Sequence, residues 1–233
     1  MRHFVRQALF PAIEKQLSEK TTKIFVLSKI QRKEIVKQLM ASQKSLCCYC
    51  ECRIYVKNPE TSEKGYHIDH FVEQHDDSTR IFDYNNMLLS CENNAKPANK
   101  SEAEIEKESS CGHQKTKDRH KGDEIDNNLL LNPTNNVSAL FSYFDGVVEP
   151  SKICTPTHVQ QVAYTIKRLN LDAQRLENAR IGEIDSIQKQ LDDLTEDDQK
   201  IFIRSLLDET QTVLNPYFST IKDNFGFLLL SES

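Results

Sequence analysis

The chain has 233 residues, a formal net charge of −5 and seven cysteines. That length suits one generous domain or two small ones without disulfide staples, and an isoelectric point near 5.8 argues against a protein that coats nucleic acid with a uniformly basic surface. No apolar stretch approaches the length of a signal peptide or a membrane span, so a soluble, cytoplasmic protein with no membrane partner is expected.

Residues 1 to about 45 read as a helical segment. Ser28 followed by Gln31 is a capping-box signature, and Ile30, Ile35, Val36, Leu39 and Met40 form a loose apolar face behind it. From 46 to about 135 the composition changes: Cys, His and Asn become frequent and long apolar periods disappear, as expected where metal coordination replaces core packing.

Four cysteines, Cys47, Cys48, Cys50 and Cys52, crowd into six positions. Residues this close cannot all pair with one another in ordinary disulfide geometry, and a reducing cytosol disfavours such bonds. A metal site is the better reading. Cys47-x-x-Cys50 has the spacing of a zinc knuckle, whose tight turn lets both thiolates reach one tetrahedral ion. Cys91 and Cys111, at the ends of a polar insertion over residues 92–110, supply the second pair if that insertion loops out. Cys48 and Cys52 form an alternative pair, and Cys154 has no partner in view.

Gly65 to Val72 is a short strand-like run that sets His67, Asp69 and His70 side by side. An imidazole that titrates near neutrality beside a hard oxygen ligand suits water activation next to a divalent ion. His67, two residues before Asp69, shares its strand face and is either a ligand or a group supporting one. Lys115, Lys117, Arg119 and Lys121 form a basic stretch that either meets a phosphate backbone or is a solvated charged face.

Helical periodicity returns from about 157, with Val159, Val162, Ala163 and Ile166 and then Ile184, Ile187, Leu191 and Leu194 at three- and four-residue spacings. Thr195 with Asp198 is the cap expected for a further helix through Phe202, Leu206 and Leu207, stopped near Asn215-Pro216. Apolar stripes at Phe4, Leu9 and Phe10, or at Ile184, Ile187 and Leu191, either bind another chain or pack on one another.

The order Cys-x-Tyr-Cys-Glu, Ile-Asp-His-Phe, Asp-Tyr-Asn-Asn-Met-Leu-Leu-Ser-Cys, Cys-Gly-His-Gln-Lys resembles the HNH endonuclease family. The resemblance implies an α+β, mainly α fold: a ββα-metal core over 46–135 with a four-cysteine Zn²⁺ site, flanked by helical regions at 1–45 and 136–233. It also implies Asp69 and His113 as ligands of a catalytic Mg²⁺ or Mn²⁺, His70 as general base, and Asn86, with Asn85 as its competitor, orienting the loop that carries the base. This sequence departs from the family in splitting the second cysteine pair and in placing Gly112 between Cys111 and His113.

Met1-Arg-His-Phe, Cys-Gly-His-Gln-Lys, Leu130-Leu-Asn-Pro133 and Leu169-Asn-Leu171 narrow the resemblance to the PtuB nuclease subunits of Septu and retron-associated anti-phage systems. That implies a PtuA-like ATPase partner and, in retron systems, a reverse transcriptase with its DNA–RNA product. The chain carries no Walker-A loop, so nucleotide-driven chemistry is expected from another chain. DNA and RNA, including tRNA, both remain open as substrate, and a non-catalytic zinc-binding adaptor is the competing reading from another class.

Overall fold

A computed structural model describes residues 1–22, 24–56, 65–92, 108–120 and 124–230, with the backbone alone for 117–120. Most of the polar insertion, and Lys121, therefore lie outside the described residues. The fold is α+β, with two small antiparallel sheets among helices.

The first ten residues are not helical, contrary to the expectation for 1–45. They run as an extended strap whose backbone donors are taken by other segments: His3 N by Ser138 Oγ, Phe4 N by the Pro133 carbonyl and Gln7 N by Ser42 Oγ. Pro11 steers Phe10 out of the helical region and opens α1 (Pro11–Ser18). The capping box at Ser28 and Gln31 starts α2 (Lys29–Ser42), which buries Ile35, Val36 and Leu39 and leaves Ile30 exposed.

β1 (Tyr66–His70) pairs antiparallel with β2 (Met87–Cys91), in a register that sets His67 opposite Ser90 and Asp69 opposite Leu88. α3 (Cys111–His120) packs against β2 and against α4 (Pro156–Leu169). Between α3 and α4, β3 (Phe141–Ser142) and β4 (Glu149–Pro150) make a minimal second sheet. α4 is capped by Thr155 and ends at Asn170, whose left-handed backbone suits a helix terminus. α5 (Gln174–Leu191), α6 (Glu196–Leu206) with its Thr195–Asp198 cap, and α7 (Phe218–Phe225) complete the chain.

One apolar core runs from the N-terminal strap through α2, the cysteines and the β1–β2 hairpin to Leu176, crossing both boundaries expected from composition. A smaller one joins Ile187 and Leu191 to Ile203, Ile221 and Phe225. Phe4, Leu9, Ile187 and Leu191, candidates for a partner interface, are thus buried within the chain itself, whereas Phe10 is exposed. Among the described residues no helix is long and apolar enough to cross a membrane.

Candidate metal centre

The turn after α2 presents the first two thiols. Cys47 N donates to the Cys52 carbonyl and Glu51 N to that of Cys47, with Glu51 in the left-handed region at φ 63°. Cys91 ends β2 and Cys111 begins α3, so the ends of the insertion return to one place. The sulfurs of Cys47, Cys50, Cys91 and Cys111 lie within 4.8 Å of one another, all four residues being buried. Cys50 and Cys91 are 3.7 Å apart, close to the edge of about 3.8 Å that four Zn–S bonds of ~2.3 Å give a tetrahedron.

All seven cysteines are free thiols. The hydrogen bond with Cys111 brings Cys50 down to about 5. Burial pushes Cys47 up, but bonds from neighbouring thiols carry it well below the usual thiol range. Cys91, chiefly through Cys111, and Cys111, chiefly through burial, are pushed up in turn. Four thiols sharing protons in this way suit a cation that takes all four as thiolates. The donor set fits a closed structural zinc site.

Cys48 and Cys52 stand outside this group, and Cys154 donates to the Leu140 carbonyl at 3.2 Å. Arg175 of α5 clasps the segment before Cys111, donating through Nε to the Glu108 carbonyl (2.7 Å) and through Nη2 to Ser110 Oγ. Burial lowers the pKa of this guanidinium, but the thiolates beside it raise it above its ordinary value.

His70 ends β1. Its Nε2 lies 2.9 Å from the Ile81 carbonyl and its Nδ1 lies 3.2 Å from Gln74 Nε2. A carbonyl only accepts, so in the neutral ring Nε2 carries the proton and Nδ1 keeps the lone pair. Burial holds the imidazole below its ordinary pKa, outweighing the bond to Ile81, which raises it.

The loop that follows is stapled by Asn86. Its Oδ1 accepts from Val72 N, and its Nδ2 donates to the carbonyls of Val72 and Arg80, at 2.8, 2.8 and 3.3 Å respectively. Asn85, the competitor for this role, is exposed and offers its carbonyl to Arg6.

Asp69, expected as a ligand, lines the cleft with one of its two carboxylate oxygens already engaged. Its Oδ2 accepts from Tyr49 Oη (2.6 Å) and from Lys115 Nζ (2.7 Å). Burial alone would raise this carboxyl; Lys115 brings it below the ordinary carboxylate range. Lys115 is accordingly no phosphate contact. Its side chain is wholly buried, with its ammonium also on the His70 and Phe71 carbonyls. Lys117 and Arg119 stand on the same helix, α3.

The ligand atoms that converge beside Asp69 belong to His67, His113 and Glu92, which lie within 4.8 Å of one another. His67 Nδ1 and His113 Nε2 each lie 3.5 Å from a different oxygen of Glu92. Burial, then the His67 ring, lowers the pKa of His113. Gly112 makes the approach possible: a Cβ there would stand 2.6 Å from His67 Nε2 and 3.0 Å from Asp69 Oδ1.

His67, Asp69, His70, Gly112 and His113 line an open cleft of about 650 Å³. A larger groove of about 710 Å³, between the N-terminal strap and α7, contains none of these residues. Sequence reasoning missed Glu92, Tyr49 and Gln74. Glu92 left a signal as the acid directly following a cysteine ligand, and Tyr49 stands in the Cys-x-Tyr-Cys-Glu run, where no role was read for it. Neither a family model nor a curated protein matches this chain.

Proposed function

We propose that the chain is a metal-dependent phosphodiester hydrolase of the HNH type, with the β1–β2 hairpin and α3 as its ββα-metal core and the four cysteines as a structural zinc site. The observation that supports it best is His70: a buried neutral imidazole, its tautomer fixed by the Ile81 carbonyl, on the wall of a cleft also lined by His67, Asp69 and His113. A base for water deprotonation needs a lone pair facing accessible space and a pKa that leaves it unprotonated at neutrality. His70 Nδ1 meets both conditions once Gln74 yields its place to water.

In this reading His70 takes the proton of the attacking water, Asn86 holds the loop that positions it, and Tyr49 and Lys115 lock Asp69 so that the end of β1 cannot shift. Ligand atoms such as those of His113 would hold a divalent ion in the cleft, and that ion would supply charge stabilisation for the phosphate and the leaving oxygen. The formal net charge of −5 leaves delivery of the polyanion to another chain, for which an ATPase of the PtuA kind is the candidate, with a retron reverse transcriptase and its DNA–RNA product in the retron setting.

The test is cleavage of labelled DNA and of labelled RNA by the zinc-loaded protein, alone and with that ATPase, in Mg²⁺ and in Mn²⁺. Cleavage by the wild type and none by His70→Ala at unchanged zinc content is the expected result. Equal cleavage by both proteins, or none by the wild type under any of these conditions, overturns the reading.

A further inference from the structure

The His67–Glu92–His113 group has the character of a cation site in its own right. His67 Nδ1 and His113 Nε2 are buried and make no hydrogen bond among the described residues. A buried imidazole nitrogen without a hydrogen bond costs free energy unless something occupies its lone pair. Both nitrogens face Glu92 at 3.5 Å, whereas ligands about 2.05 Å from one tetrahedral ion stand about 3.4 Å apart. Two neutral imidazoles and a carboxylate would carry one negative charge, and two of the three residues, His67 and His113, line the cleft. Three protein ligands with an open side are the pattern of a reactive site, in contrast to the closed four-thiolate one.

We infer that His67, Glu92 and His113 hold a first-row transition ion, selected over Mg²⁺ by its two imidazole ligands. Imidazole suits borderline ions, whereas Mg²⁺ prefers an all-oxygen octahedron with several waters. The role of this ion in catalysis rests on the hydrolase reading; its binding does not.

The two ligand groups are joined through the backbone. Cys91 precedes Glu92, and Cys111 stands two residues before His113. Ser90 ties them further: its Oγ accepts from Gly112 N at 3.1 Å and lies 4.0 Å from Cys47 Sγ. Thiolate coordination therefore pins both segments that carry Glu92 and His113, and the open site depends on the closed one.

The experiment is calorimetric titration of the full chain carrying one zinc with Mg²⁺, Mn²⁺, Co²⁺ and Ni²⁺, for wild type, His67→Ala, Glu92→Gln and His113→Asn. One further equivalent should bind, tightening from Mn²⁺ through Co²⁺ to Ni²⁺ with Mg²⁺ weakest. Each variant should keep its single zinc and lose affinity at least roughly 10- to 100-fold, the loss usual even for groups behind the ligands. Absence of a second equivalent, Mg²⁺ binding as tight as Co²⁺, or wild-type affinity in both His67→Ala and Glu92→Gln overturns the assignment. Cleavage measured on the same samples separates the two claims. Undiminished cleavage by Glu92→Gln and His67→Ala removes this ion from the reaction and spares the hydrolase. Tight Co²⁺ binding by a wild type that cleaves nothing refutes the hydrolase and leaves the site standing.

Discussion

Lys115 Nζ lies 2.7 Å from Asp69 Oδ2, with the two side chains 0 % and 7 % exposed. A buried ion pair adds little net stability, but removing one partner strands the other charge away from water. Lys115→Met is therefore expected to cost about 3–5 kcal/mol, read by urea unfolding of the zinc-loaded protein. Adding Asp69→Asn to it should recover a large part of that loss, because the neutral amide needs no counter-ion. Additive losses in this double-mutant cycle would show that the two residues act independently.

The four-thiolate group is expected to be folding-critical. A structural zinc is worth roughly 10–16 kcal/mol in zinc-finger peptides, as much as a typical domain's whole stability of about 5–15 kcal/mol. Purified protein should contain one tightly held zinc, and Cys50→Ser or Cys111→Ser should aggregate or lose the core. Cys154→Ser, which disturbs one weak thiol bond to the Leu140 carbonyl, should stay within about 1 kcal/mol of wild type. Well-folded Cys50→Ser protein without metal would refute this.

His70 sets the expected pH dependence of cleavage. Burial places its pKa below the ordinary 6.5, so the ring is already the unprotonated base at pH 7. The kcat/KM should rise with pH up to an inflection below 6.5 and be flat above it. His70→Ala should lower the rate about 10²–10⁴-fold, the usual share of a general base, and remove that inflection. A wild-type rate that first levels off well above neutrality would assign the base elsewhere.

Asn86→Ala should loosen the loop after β1 without touching the thiolates. It strips Val72 N of its acceptor and the Val72 and Arg80 carbonyls of their donor, at an expected cost of about 0.5–1.5 kcal/mol per part-buried hydrogen bond lost. Faster hydrogen exchange at Val72 and slower cleavage at constant zinc content are the expected readouts. Unchanged exchange there would mean that the loop is held by other contacts.

Short-range features were legible in the sequence. The Ser28–Gln31 box, the Thr195–Asp198 cap, the strand over 66–70 and the periodicity of α4 and α5 depend on side chains within a turn or two of one another, and so does the Cys47–Cys50 turn. Cys91 and Cys111 came forward as the second pair only as the two ends of the polar insertion, and their meeting in space decides it. The tertiary structure alone decided the rest. The first ten residues are extended because Ser138, Pro133 and Ser42, distant in sequence, take their backbone donors. Lys115 turns inward because the hairpin leaves a buried carboxylate and two carbonyls within its reach, a fact its basic neighbours in sequence conceal. Glu92 joins His67 and His113 because the antiparallel register brings the end of β2 alongside the start of β1, and because Gly112 lets α3 approach closely. Ligand identity at that second site is a property of how the chain closes on itself, since no local pattern measures distance between residues this far apart.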